Sequence, residues 1–157
     1  MKTVYALGYF ECVHAGHRAV LAQTMKMAKT LGATPGCFSY VIENGETIRP
    51  DRISSEFSPE KRTEMIKSCG IEPVHMPLFS EIKNLSPSDF LDILATDYGA
   101  VGFVCGEDYR FGKGAQGTVE TLKAYCEARS IAYKIVKTVY DGNTKISSKN
   151  VKKKTQK

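Results

Sequence analysis

The stretch Ala6-Leu7-Gly8-Tyr9-Phe10-Glu11-Cys12-Val13-His14-Ala15-Gly16-His17 decides the fold, because it sets two imidazoles where a first strand hands over to a first helix. Thr3 to Leu7 reads as a short apolar strand, and Gly8 permits a tight exit. From His17 to Leu31 the apolar residues Val20, Leu21, Met27, Ala28 and Leu31 recur at helical spacing. Such a junction is where α/β proteins bind phosphates: the first backbone N–H groups of the helix have no intrahelical partner, and together with the helix dipole they favour an anion. Gly16 keeps side-chain bulk away from that anion, while His14 and His17 offer donors that follow charge building on phosphate oxygens. An H-x-G-H string also arises by chance, so phosphate chemistry and two ordinary histidines both stand at this point.

Outward from this junction, strand and helix patterns alternate to the end of the chain, which predicts an α/β fold: an open, mainly parallel sheet with helices on both faces. Strands are expected at Thr34 to Val41, Val74 to Leu78, Ala100 to Cys105 and Ile131 to Val136, with a last short one at Ile146 after the turn at Asp141-Gly142. Ser58-Pro59-Glu60-Lys61 opens a helix to about Cys69, Ser86-Pro87-Ser88-Asp89 opens another, and Thr118 to Arg129 a third. In the first two, a serine caps and a proline takes the first helical position, where its missing N–H costs nothing. The polar stretch Glu43 to Phe57 is the one long irregular segment, of the kind that serves as a substrate loop.

At 157 residues the chain forms a single domain, large enough to bury a core without disulfides or a structural metal. No apolar run approaches a bilayer span and the N-terminus lacks a secretory layout, so a cytoplasmic location and no membrane partner are expected. Five cysteines, Cys12, Cys37, Cys69, Cys105 and Cys126, are scattered with no C-x-x-C pair, and read as small buried hydrophobes rather than disulfides or a metal site. The net charge is +5, yet Lys145, Lys149, Lys152, Lys153, Lys154 and Lys157 crowd the C-terminus without an acid. Without them the chain is slightly acidic, so the basicity belongs to a tail beginning near Lys149 and not to a folded basic face of the nucleic-acid-binding kind. That tail is either a solvated terminus or a source of anion-binding lysines.

A second cluster, Gly106-Glu107-Asp108-Tyr109-Arg110-Phe111-Gly112-Lys113-Gly114, follows a buried-type strand, at the strand edge where open α/β sheets bind ligands. Gly106 allows close backbone approach, Asp108 can accept from ribose hydroxyls, and Tyr109 or Phe111 can lie against a flat ring. The plainer alternative is a tight loop with one aromatic plugging the core. The third cluster is Ile146-Ser147-Ser148-Lys149-Asn150-Val151-Lys152: either the serines are helix caps, or with Lys149 and Lys152 they hold a polyphosphate.

Taken together, these clusters resemble the FMN adenylyltransferase domain of bacterial FAD synthetases, within the nucleotidylyltransferase superfamily, over nearly the whole chain. The family's opening G-x-F-D-G-V-H-x-G-H corresponds to Gly8 through His17, with Glu11 in place of Asp and Cys12 in place of Gly. Its G-x-D-F-R-F-G-x-G loop is matched by Gly106, Asp108, Tyr109, Arg110, Phe111, Gly112 and Gly114. A helix opened by Ser58 and carrying Lys61 lies between, as does an L-S-P-x-x-F start at Leu85, Ser86, Pro87 and Phe90. The final I-S-S-T-x-I-R is matched by Ile146, Ser147 and Ser148, with Lys149 for Thr and Lys152 for Arg. Where the family has F-x-P-H-P, this chain has Phe38-Ser39-Tyr40-Val41-Ile42.

The resemblance implies a Rossmann-like nucleotidylyltransferase fold and transfer of AMP from ATP to FMN, with Mg²⁺ accompanying ATP and no covalent enzyme intermediate. It assigns His14 and His17 to the triphosphate and its transition state, Gly106, Asp108 and Phe111 to adenosine, and Ser147, Ser148 and Lys152 to the departing pyrophosphate. Gly8, Phe10 and Gly16 shape the pocket. The riboflavin kinase barrel that follows in most relatives has no counterpart here, so riboflavin phosphorylation is not expected. Competing expectations are a nucleotidylyltransferase for another phosphorylated acceptor, suggested by the altered F-x-P-H-P segment; a catalytically weak nucleotide- or flavin-binding protein; and a basic-tailed nucleic-acid-binding module.

Overall fold

In β1 (Thr3–Leu7) every residue is buried, which is what a central parallel strand covered on both faces requires. It pairs in parallel with β2 (Thr34–Phe38) on one side and, across the sheet, with β4 (Ala100–Gly106) on the other. β3 (Val74–His75) lies outside β2, and β5 (Ala132–Val136) outside β4. The order is therefore β3-β2-β1-β4-β5, all parallel, as the alternating pattern predicts. The computed structural model describes residues 2–10, 15–42, 58–137, 140–141 and 144–145. Glu11, Cys12, His14, the stretch Glu43 to Phe57, Ile146, Ser147, Ser148, Lys149 and Lys152 lie outside the described residues.

Side chains alternate across the sheet because successive Cβ atoms point to opposite faces. Val4 and Ala6 of β1, with Cys37 and Val104, pack against Val20, Leu21 and Ala28 of α1 (Ala15–Leu31) and Ile66 of α2 (Pro59–Ser68). Tyr5, Leu7, Phe38, Phe103 and Cys105 face the other way. They meet Phe90, Leu91 and Leu94 of an amphipathic helix and Leu122, Tyr125 and Cys126 of another. With the single turn α3 (Phe79–Ile82) counted, these are α4 (Pro87–Thr96) and α5 (Val119–Arg129). Cys37, Cys105 and Cys126 are buried free thiols, as their scatter in the sequence predicts. Burial pushes the Cys105 thiol up to about 12 and that of Cys126 up to about 11. No helix among the described residues is long and apolar enough to cross a membrane.

Element ends differ from the sequence reading at three places. α1 begins at Ala15, two residues before the expected His17, so Gly16 lies within its first turn and not ahead of it. β2 and β3 stop at Phe38 and His75, short of the expected Val41 and Leu78. The backbones still run together: Ser39 N donates to His75 O (2.9 Å), Val41 N to Pro77 O (2.8 Å), and Phe79 N to Val41 O (2.7 Å). Pro77, however, has no N–H to return a bond, so the regular ladder lapses into a single bridge between Val41 and Leu78. Near the C-terminus, β6 (Tyr140–Asp141) pairs antiparallel with β7 (Thr144–Lys145), while Gly142 of the expected turn lies outside the described residues.

Two serine caps set where helices start: Ser58 Oγ accepts from Lys61 N and Ser86 Oγ from Asp89 N, each at 3.1 Å, and a proline follows each serine. Ser86→Ala is expected to lower stability by about 1 kcal/mol, the usual worth of an N-cap. A shift in the urea midpoint with an unchanged slope checks it.

Candidate active site

Strand order reverses at β1: the chain moves outward through β2 and β3, then crosses back to lay β4 against the free side of β1. The segments leaving β1 and β4 therefore diverge and open a crevice at their C-terminal ends, where ligands of open α/β sheets bind. β1 and β4 run in register with Ala6 beside Val104; carried two residues on, this register sets Gly8 level with Gly106. A Cβ added at Gly106 would meet nothing within 4 Å, so open space lies above β4. At Gly8 the space is taken, because the Phe10 ring comes within 3.1 Å of where a Cβ would be.

Phe10 folds back over Gly8 through a left-handed backbone conformation, φ 52°. For a residue with a Cβ this costs about 1 kcal/mol, and it persists where surrounding contacts hold it. Its ring is buried and meets the His17 imidazole edge-on, with centroids 5.0 Å apart. His17 is thereby set in the first turn of α1, beside Gly16. That turn carries no acidic side chain to oppose an anion drawn to the positive end of the helix dipole.

Tyr9, Ser39, Tyr40, Arg62 and Phe79 complete this wall, and of these the sequence did not single out Arg62 or Phe79. Tyr9 O accepts from Ser39 Oγ (2.9 Å) and from Arg62 Nη1 (2.7 Å), and Arg62 Nη2 donates to Tyr40 O (3.0 Å). The guanidinium lies 4.5 Å from the centroid of the Tyr9 ring, which stacks on Tyr40 at 4.9 Å. Tyr40 in turn lies 5.4 Å from Phe79. An aromatic wall thus stands at the exit of β2, built on the segment that departs from the family's F-x-P-H-P. Arg62, the fourth residue after the Ser58 cap, is only 1% exposed. Its burial had no signal in the sequence, since an arginine in a polar helix reads as a surface residue.

On the opposite side the loop leaving β4 is closed on itself. Phe111 N donates to Gly117 O (3.1 Å) and Gly117 N to Phe111 O (2.7 Å), while Lys113 N donates to Leu85 O (2.7 Å). Gly112 is required here: its φ is +81°, and a Cβ would lie 2.8 Å from the Pro87 backbone. Phe111 is a core residue, 5% exposed, against Phe90 (5.8 Å) and parallel to Tyr109 (5.6 Å). Of the two readings the sequence left open for this loop, the burial of Phe111 fits the aromatic plug, while Tyr109 is half-buried. Asp108 and Glu107 are exposed at the crevice, and Glu107 N donates to Val136 O (3.1 Å). Burial pushes the Tyr109 hydroxyl well above its ordinary value, with the Tyr40 hydroxyl and the thiols of Cys105 and Cys37 adding to the effect.

The structure thus brings Gly8, Phe10, Gly16, His17, Gly106 and Asp108 to one end of the sheet and places Phe111 beneath the loop. His14, Ser147, Ser148 and Lys152 lie outside the described residues. Phe111→Ala is expected to cost about 3–5 kcal/mol of stability, as for other aromatic-to-alanine changes in cores. Denaturant unfolding checks it; an unchanged midpoint would mean that the ring serves a ligand and not the core.

A sequence model of the FAD synthetase family matches residues 1–150. The bifunctional riboflavin kinase/FMN adenylyltransferase of Bacillus subtilis is 27% identical over 154 residues, covering 96% of this chain and 48% of that protein. Chloroplastic FAD synthetase 1 of Arabidopsis thaliana is 30% identical over 145 residues, covering 89% of this chain and 40% of its own length. A solved structure from Streptococcus pneumoniae, described as a macrolide-efflux protein, superposes with a TM-score of 0.81 at 27% identity, over 97% of this chain and 50% of its own. The chain spans about half the length of the curated relatives it matches.

Proposed function

The chain belongs to the FAD synthetase family, and from that premise we propose that it transfers the AMP moiety of ATP to FMN, giving FAD and pyrophosphate. An oxygen of the FMN phosphate attacks the α-phosphorus of ATP. The bond from that phosphorus to the bridging oxygen breaks, and pyrophosphate leaves with the electron pair. Such a reaction needs positioning and charge stabilisation more than covalent chemistry. The observation that carries this reading is the crevice between Gly8 and Gly106, with open space above β4 on one side and the first turn of α1, bearing His17, on the other.

In this reading the N-terminal N–H groups of α1, with His14 and His17, receive the triphosphate and donate to the charge that grows on its oxygens. Asp108, exposed at the end of β4, accepts from the ribose, and Gly106 lets the adenosine approach the backbone. The half-buried rings of Tyr40 and Phe79, backed by the buried Tyr9, suit a broad planar acceptor, which favours a flavin over other phosphorylated acceptors. Ser147, Ser148 and Lys152 hold the departing pyrophosphate. Mg²⁺ bound with ATP would supply neutralisation of the triphosphate charge. Glu107 and Asp108 are the described carboxylates at the crevice whose oxygens fit a contact with its water shell.

Incubation with ATP, Mg²⁺ and FMN should yield FAD, resolved by chromatography, with pyrophosphate in equal amount. Riboflavin in place of FMN should yield none, because it lacks the attacking phosphate. FMN left unconsumed while ATP and FMN both bind would instead favour a binding protein without turnover. His17→Ala should lower kcat by about 10²-fold, the usual worth of a preorganised donor to transition-state charge. α1 should persist, since alanine is the best helix former. Unchanged turnover in the folded variant removes His17 from the reaction.

A further inference from the structure

Arg62 is the largest fully buried side chain of the described residues, and it is charged. Burying an ion costs several kcal/mol, so its place in the fold calls for compensating contacts. Three such contacts go to the two segments that form one wall of the crevice. Nη1 bonds the carbonyl of Tyr9 in the segment leaving β1, Nη2 bonds the carbonyl of Tyr40 in the segment leaving β2, and the guanidinium plane lies over the Tyr9 ring. Ser39 supplies a second donor to the same Tyr9 carbonyl. The next residue, Phe10, is the one held in the left-handed conformation, and its ring meets His17.

We propose that Arg62 is a positioning residue for the adenylyl transfer, resting on the reading above: by clamping the Tyr9 and Tyr40 carbonyls it fixes the left-handed turn at Phe10 and, through the Phe10 ring, the orientation of the His17 imidazole. Arg62 itself touches no reacting atom. The planar fork explains the residue type, since two carbonyls on separate segments are reached by two nitrogens held in one plane. An ammonium offers its donors from a single, freely rotating point and so does not fix the two carbonyls in one plane.

The chain has three histidines, so their imidazole resonances form a small, assignable set in the full-length protein. His14 and His17 lie on either side of the start of α1. His75 packs among Tyr5, Phe38 and Tyr98 at centroid distances of 5.9, 6.2 and 4.9 Å, in the cluster on the opposite face of the sheet from Ile66 of α2, and serves as a fixed reference. In Arg62→Lys the His17 ring protons should shift while those of His75 stay in place. The kcat for FAD formation should fall about tenfold or more, with the KM for ATP changed less than about threefold, as expected for loss of alignment and not of binding. A folded Arg62→Lys protein whose His17 resonance is unmoved, or whose kcat stays within about twofold of the parent, overturns the proposal.

If Arg62→Lys does not fold, Ser39→Ala carries the test. It removes the other donor to Tyr9 O without disturbing a buried charge, and should move the same His17 resonance by a smaller amount. No movement there overturns the proposal equally. Should the parent chain form no FAD at all, the proposed activity fails, and the His17 resonance alone decides the role of Arg62.

Discussion

The candidate site depends on β1 being paired on both sides, with β2 to one flank and β4 to the other, all parallel. A parallel strand needs a crossover to reach its neighbour, and right-handed crossovers to the two flanks send the chain to opposite faces of the sheet. The helix pair α1 and α2 consequently covers one face, and α4 and α5 the other. Between the two departures none of the described residues fills the space beside Gly106. The crevice follows from chain topology, and the residues around it then give that space its chemistry.

Those residues are held by contrasting means. The loop after β4 is secured by apolar packing and by its own backbone: Phe111 plugs the core, Gly117 closes the loop, and Gly112 lies against Pro87. The segment after β1 is secured by polar groups inside the protein, with one buried guanidinium and one buried hydroxyl converging on the Tyr9 carbonyl. Apolar packing tolerates small shifts, whereas a bidentate charged clamp fixes direction. That difference places the stiffer support under the segment leading to His17.

The aromatic wall of Tyr9, Tyr40 and Phe79 shows how the fold absorbs a departure from the family pattern. Tyr40 stands where a proline is usual; its ring stacks on Tyr9, and its backbone carbonyl accepts from Arg62. The change exchanges the constraint of a proline ring for aromatic surface beside the crevice.

By itself the sequence determined the parallel α/β architecture, the strand and helix order, the serine caps and the strand-to-helix junction bearing Gly16 and His17. These are local properties, written in apolar periodicity, capping residues and glycine position, and they depend on neighbours only a few residues away. It also marked Gly106 and Asp108 as crevice residues, because a polar, glycine-bearing run after a buried strand has few other places to lie. Only the tertiary structure decided that Phe111 belongs to the core, that Pro77 cuts short the β2–β3 ladder, and that Arg62 is buried with Tyr9 and Tyr40 as its partners. Each of these depends on segments far apart in the chain meeting at one point: Arg62 follows Tyr9 by 53 positions, and nothing in the composition of either segment encodes that encounter.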